Sequence, residues 1–309
     1  MNKNISTLFE IYFTECQYSR RLRPETLRGY REVFQHFRNI MPEITDPAFL
    51  TDDILTEFFK RLQIRTRIVG KDKIVTGLKN STILTYWSKL YSFFKWLQAK
   101  SIIPINPLTI LKPPKVEYLD DRALNENELQ KIIAAITLHP RNSILLRRDT
   151  AIFHVLVFCG LQKNELMSLR VTDIDLDKQE LWVRAETSKS KKTRILPIHP
   201  TLAYHLKEYF TERRKGGYKT HALWINGKKD APFTNHGIKH WVFRFNKLSG
   251  IKFHLHQFRH SFACGLAKKD VGPIKIQKLM GHSNIKMTMT YLRSVTAKDL
   301  RSDILKLSI

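Results

Sequence analysis

The chain is 309 residues long and 42% hydrophobic, enough to bury more than one core, which points to about two domains and excludes wholesale disorder. Its 53 lysines and arginines outnumber 28 acidic residues, giving a formal charge of +25 with basic residues in both halves. Self-repulsion of that size is best relieved by a polyanion with many phosphates, so nucleic acid is the expected partner; a membrane surface, which calls for an amphipathic or lipidated anchor that the sequence does not display, is not.

The amino terminus, "MNKNISTLFEIYF", lacks the layout of a secretory signal. From Ser6 to Leu97 the pattern is mostly helical. In "RRLRPETLRGY", Pro24 suits a first helical position; Leu27, Tyr30, Phe34, Phe37 and Ile40 then recur at helical spacing, with Arg28, Arg31 and Arg38 off that stripe. "RTRIVGKDKIVTGLKNS" reads as a basic loop. A second strong helix follows "NST", with Leu84, Trp87, Tyr91 and Phe94 as its apolar row and Lys89 and Lys95 outside it. Taken alone, this half also fits a small helical bundle with a merely solvated basic surface. "IPINPLTILKPPKVEYLDD" then places four prolines within eleven residues. Proline removes backbone donors and restricts the residue before it, so the segment reads as an extended connector outside any core. With the boundary near Pro113, residues 1–112 form one domain, 113–122 a linker and 123–309 the other.

The second half opens with helices at "NENELQKIIAAI" and "RDTAIFHVLVFCG", the latter ended by Gly160. The apolar run there, "AIFHVLVFCGL", is about half the length a membrane span needs. "DLDKQELWVRAETSKSKKTRILPIHP" holds two β-rich runs around a lysine-rich turn, the pattern of a hairpin, and helices resume to the end with no internal repeat. The expected class is therefore mainly α with a small antiparallel β-hairpin or sheet. Cys16, Cys159 and Cys264 lie far apart, with neither a disulfide framework nor paired metal spacing, which fits a reducing, cytoplasmic compartment.

The stretch "HLHQFRHSFACGLA", residues 254–267, carries the first chemical signal. On a helix, His256, Arg259 and His260 fall within an arc of about 100°, and Phe258, Phe262 and Leu266 group on the other side. A positive helix end with an arginine fork suits an anion, phosphate above all given the net charge. Zinc fits poorly, because no further ligands stand at metal spacing and Arg259 repels a cation. A solvated or structural helix face is the plain alternative.

Downstream, in "KLMGHSNIKMTMTYLR", Gly281 breaks a helix, His282 follows and Tyr291 comes nine residues after His282. Together with "HQFRH", this resembles the carboxyl-terminal signature of the tyrosine recombinase, or phage-integrase, family, in its Xer-like form. "RLRPETLRGY" and "STILTYWSKLYSFFKWL" look like the family's helical core-binding domain, and "IPINP" looks like its interdomain connector. Lys189, eight residues before Pro197, falls where the family keeps a hairpin lysine. The resemblance implies a two-domain, C-shaped clamp on duplex DNA bearing a specific recombination site. It further implies a tetramer on two such sites, accessory proteins as further partners, a place on the nucleoid, and exchange of the last helix, "TAKDLRSDILKLS", between subunits.

It also implies a reaction that uses no cofactor. A tyrosine hydroxyl attacks a DNA phosphodiester to give a 3′-phosphotyrosine, while cations stabilise the charge developing at phosphorus. Tyr291 would be the nucleophile, Arg259 the phosphate clamp, His256 a proton-handling or hydrogen-bonding residue, His282 a second phosphate donor and Lys189 the acid for the leaving oxygen. Arg23, Arg28, Arg31, Lys79, Lys89, Lys191, Lys192 and Arg194 are the expected DNA-contacting cations. Each role has a plain rival: Tyr291 packing with its hydroxyl at a rim, Lys189 acting only as one of several hairpin phosphate contacts, His282 capping the next helix. Met287 and Met289 read as packing residues.

One position departs from the pattern. The family's first arginine belongs in a Gly-Leu-Arg-x-x-Glu turn, and here that turn reads "CGLQKNELMSLRVTDIDL", with Gln162 at the arginine position and Glu165 in place. Glutamine donates hydrogen bonds but has neither charge nor fork. Loss of a transition-state arginine costs ~10³–10⁵ in rate, or roughly 4–7 kcal/mol. Three readings are open: a deliberate substitution that traps a complex, recruitment of another cation such as Lys163, Arg170 or Arg194, or a protein that binds DNA without cutting it efficiently. Lys163 points about 100° away as a helical neighbour. The retained Tyr291, Arg259, His256 and Lys189 speak against abandoned chemistry, since DNA binding alone needs no tyrosine at that spacing. The rivals to a recombinase are a non-cleaving accessory protein with a degenerate site and a relaxing enzyme of the type IB topoisomerase kind.

Overall fold

The computed structural model describes residues 4–70, 73–116, 123–227 and 229–292. The chain divides into two compact units, Met1–Tyr118 and Leu119–Ile309. The architecture is mainly α, with small antiparallel sheets. No helix among the described residues is long and apolar enough to cross a membrane.

The first unit is built on helices α1 (Ile5–Thr14), α2 (Pro24–Ile40), α3 (Asp52–Ile64) and α4 (Asn80–Ala99). Proline starts α2 as expected, because its missing N–H is one the first turn does not need. The α2 stripe packs inward, and the core is aromatic: Phe9 stacks on Phe34 at 3.9 Å between centroids and Phe93 meets both rings edge-on. The buried face of α4 is centred on Ile83, Leu90, Phe93, Phe94 and Leu97, so Leu84, Trp87 and Tyr91 lie at its half-buried margin and not at its middle.

Two expectations for this unit are corrected. The basic loop is a hairpin, β1 (Thr66–Val69) paired antiparallel with β2 (Lys73–Thr76), in which Ile68 faces Ile74 in register. β-Branched residues on either side of Gly70 favour the pairing although no core covers the two isoleucines. The connector is also not purely a connector. Its first half forms a 3₁₀ turn, Pro107–Thr109, capped by the buried Asn106, and Ile103 and Leu108 enter the aromatic core. Proline shapes the turn there without excluding its neighbours from the interior. Residues 117–122, the end of the expected linker, lie outside the described residues.

The second unit contains α5 (Glu126–Leu138), α6 (Ser143–Cys159), α7 (Lys163–Met167), β3 (Ile174–Asp175), β4 (Glu180–Val183), β5 (Arg194–Pro197), α8 (Pro200–Lys215), α9 (Asn235–Ser249), α10 (Leu255–Lys268), α11 (Pro273–Met280) and α12 (Ile285–Leu292). Asn125 and Glu128 cap α5 reciprocally. Helix α6 is buried along most of its length and packs on α8 and α10. Its polar residues are paired: Arg148 donates to Asp149 and to the Ile225 carbonyl, and Arg141 closes the same carboxylate. The expected hairpin is present and gains an edge strand, giving the antiparallel order β3-β4-β5 with Leu181 opposite Leu196. Leu181, Val183 and Leu196 face the core, and Trp182 and Ile195 face out.

Candidate active site

The site is assembled where α6 ends. Gly160 adopts φ +55, the left-handed cap, and a Cβ there would meet the Phe262 ring of α10 at 2.4 Å. Only glycine lets the two helices approach so closely. Its carbonyl accepts from Arg259 Nη1 at 2.8 Å, while Arg259 Nη2 donates to the Met280 carbonyl at 2.5 Å. Met280 is the last residue of α11, and Gly281, with φ +66, ends that helix. An arginine on the last carbonyls of a helix is favoured by both hydrogen bonding and the negative helix end.

Gln162 is half-buried at the cap of α7, and its backbone N–H donates to Glu165 Oε2 at 2.9 Å. Glu165 is buried, and Arg194 grips it with both terminal nitrogens: Nη1 to Oε1 at 2.7 Å and Nη2 to Oε2 at 2.8 Å. The third arm of Arg194, Nε, donates to the Leu279 carbonyl at 2.9 Å. Arg259 Nη1 stands 3.8 Å from Glu165 Oε2, beyond hydrogen-bond distance. Two arginines and one glutamate thus join β5, α7, α10 and the end of α11.

His282 follows Gly281 directly and is buried against α12, where its Nδ1 meets Thr288 Oγ1 at 2.9 Å. Burial, then Arg259 and Arg194, push this imidazole down to about 4; Glu165 opposes them and His256 adds to them. His282 is therefore neutral near pH 7 and can offer a neutral N–H or lone pair, not a cation. His256 stands exposed in the first turn of α10, whose start is capped by His254 and Gln257.

The turn between β4 and β5 exposes Lys189, Lys191 and Lys192. A cleft of about 450 Å³ lies between this turn and α11, lined in part by Lys192, Arg194, Lys278 and His282. Among the described residues no three His, Cys, Asp or Glu side chains converge as metal ligands.

The structure therefore brings together Gln162, Arg259 and His282 and leaves Lys189 on an exposed turn. The backbone of Tyr291 lies in the final turn of α12; its side chain, and the last helix "TAKDLRSDILKLS", lie outside the described residues. Arg194, expected among the DNA-contacting cations, is instead sealed on Glu165. Strand alternation carries the signal for it: Arg194, Leu196 and Ile198 share one face, and the two aliphatic residues are core. Arg170 is exposed beside Glu186, and His260 is buried with Nδ1 3.1 Å from Cys264 Sγ. On the polar face of α10, Arg259 and His260 are thus interior while His256 is exposed, and Met287 and Met289 are exposed where packing was expected.

In the first unit, Arg23, Arg28, Arg31 and Lys79 are exposed. Arg28 lies 3.7 Å from Glu32, and Arg31 pairs with Glu10 and lies over the Phe13 ring. Lys89 departs from the expectation. It lies across Gly29 with its ammonium over the Tyr30 ring, and burial holds its pKa below the usual lysine range.

Residues 122–298 match the model of the phage integrase family. A tyrosine recombinase of Pseudothermotoga lettingae is 33% identical over 248 residues, 80% of this chain and 82% of that protein. Another, from Thermosipho africanus, is 30% identical over 288 residues, 92% and 94% of the two chains. Among solved structures, the XerH site-specific recombinase bound to palindromic difH substrate superposes with a TM-score of 0.74 at 20% identity, covering 96% of this chain and 83% of that one. A lambda integrase dimer bound to a core site gives 0.70 at 18% identity, covering 94% and 95%. With the geometry of the α6 to α12 region, these matches place the chain in the phage integrase family of tyrosine recombinases.

Proposed function

We propose that this protein is a site-specific DNA recombinase that cuts and rejoins duplex DNA through a 3′-phosphotyrosine. The observation that carries the reading is the convergence of Arg259 and Glu165 on the Gly160–Gln162 turn with His282 beside them, His282 standing just ahead of the helix whose last turn holds Tyr291. In this scheme the Tyr291 oxygen forms a bond to phosphorus as the bond to the 5′ oxygen breaks. His256 handles the tyrosine proton, and the Lys189 ammonium donates a proton to the departing 5′ oxygen. Arg259 and the neutral His282 donate to the non-bridging oxygens, and rejoining runs the same steps backwards.

Both domains, 1–112 and 123–309 in this reading, contact duplex DNA at a specific site. Four copies act on two sites, with accessory proteins as further partners and the cytoplasmic nucleoid as the setting. Arg23, Arg28, Arg31, Lys79, Lys191 and Lys192 supply salt-dependent phosphate contacts.

Gln162 favours one rival, a DNA-binding accessory protein with a degenerate site. Arg194 is a poor candidate for a spare phosphate clamp, since three of its five N–H groups are committed to Glu165 and Leu279. The slow-enzyme form therefore predicts that Gln162→Arg raises cleavage by ~10³-fold or more. Covalent trapping on a nicked suicide DNA tests the whole reading. An adduct formed by the parent or by Gln162→Arg, and lost with Tyr291→Phe, supports it; no adduct even with Gln162→Arg sinks the enzyme reading in favour of the accessory protein.

A further inference from the structure

The geometry points to Arg194 as a positioning residue that keeps Arg259 on its two carbonyls by occupying the carboxylate of Glu165. The inference deepens the recombinase reading and rests on it for its consequence in rate, although its geometric claim stands apart from activity. Glu165 exposes 1% of its side chain, Arg194 8% and Arg259 2%, so the three charges share an interior from which water is largely excluded. A carboxylate in such a place must be paired. Arg194 does this with a two-armed grip at 2.7 and 2.8 Å, leaving Arg259 at 3.8 Å. Without that grip, the nearest cation able to answer Glu165 is Arg259 itself, about one ångström short of a hydrogen bond.

Such a movement would draw Arg259 from the Gly160 and Met280 carbonyls, and so away from the phosphate position those contacts define. The third arm of Arg194 matters as well. It holds Leu279 while Arg259 holds Met280, so two arginines fix the end of α11 and with it the entry to His282. In this chain the consequence is sharper than it would be with an arginine at 162, because Gln162 carries no charge that could take over either task.

The test pairs Arg194→Gln with Glu165→Gln. Expected for Arg194→Gln is a loss of cleavage of ~10²-fold at saturating DNA with little change in DNA affinity, since a misplacement of about an ångström has that effect. Adding Glu165→Gln removes the charge that pulls Arg259 and is expected to restore most of the rate. A purely structural Arg194 gives no such rescue, and a double variant as slow as the single one overturns the proposal. Arg194→Lys, which keeps the buried charge balance but not the fork, covers the case in which Arg194→Gln does not fold. It is expected to show the same split at ~10-fold, and a parental rate overturns the proposal.

A crystal structure of the Arg194→Gln protein, or of Arg194→Lys in its place, reads the claim without any activity. Arg259 within hydrogen-bond distance of Glu165 supports it. Arg259 still on both carbonyls refutes it. Because trapping with the parent and Gln162→Arg reports separately on catalysis, failure of the recombinase reading and failure of the Arg194 assignment give different results.

Discussion

Lys189, Lys191 and Lys192 stand exposed at the β4–β5 turn, whereas Arg194, two residues further along the same hairpin, is sealed with Arg259 among α7, α10 and α11. All five are cations in one small region, yet solvent assigns them different work. In the proposed reading Lys191 and Lys192, exposed to water, attract phosphate at long range and in a way that salt weakens, while Lys189 on the same turn serves as the acid. The buried arginines have exchanged water for carbonyls and a carboxylate, and each is committed to a particular partner. In that reading Lys191 and Lys192 supply affinity, and the buried arginines supply geometry.

Three substitutions or conditions can break that contrast. The largest effect is expected from Arg259→Gln, which removes the one arginine that matches the family pattern: single-turnover cleavage falls by ~10³–10⁵ while DNA affinity at moderate salt stays near parental. A comparable loss of affinity would mean that Arg259 binds like the surface lysines. Next comes acid. His154 is pushed down to about 4 by burial beside His205, and His282 to about 4 by burial, Arg259 and Arg194, against an ordinary 6.5. Between those values the unfolded chain binds more protons than the folded one, so their stabilising effect is complete above about 6.5 and drains away as pH falls toward 4. The melting temperature is expected to drop by several degrees from pH 7 to roughly pH 5, at about 2–4 °C per kcal/mol. A flat profile would place both imidazoles in water.

The smallest effect is expected from Lys191→Gln with Lys192→Gln. Affinity falls severalfold at low salt, the salt slope shrinks by about 0.9 per lost contact, and stability stays within about 0.5 kcal/mol of the parent. A slower cleavage of already bound DNA would show that the turn also positions, erasing its difference from the buried pair.

The same distinction explains what the sequence could disclose. Elements with a strong local pattern were readable: Pro24 with the α2 stripe, Gly160 and Gly281 as helix ends, the two β-rich runs around the lysine-rich turn. The first hairpin was not, because Ile68 and Ile74 are 73% and 71% exposed and pair without a buried face to mark the register. Four prolines disguised the core role of Ile103 and Leu108. The order and spacing of Arg259, His282 and Gln162 were visible in the chain, since the family motif is local. The grip of Arg194 on Glu165 was not, for it joins residues twenty-nine apart and turns on which face of β5 an arginine occupies. Lys89 misled for a related reason: a lysine outside an apolar stripe looks solvated unless the glycine that makes room for its stem, Gly29, is recognised on the neighbouring helix.

Cys159 closes α6 one residue before the glycine on which Arg259 rests, and burial pushes its thiol up to about 12. Such a sulfur is inert to oxidants and alkylating reagents while the α6–α10 contact is shut. Its rate of labelling therefore counts how often that contact opens. A thiol with no part in the chemistry becomes a clock for the breathing of the wall beside it.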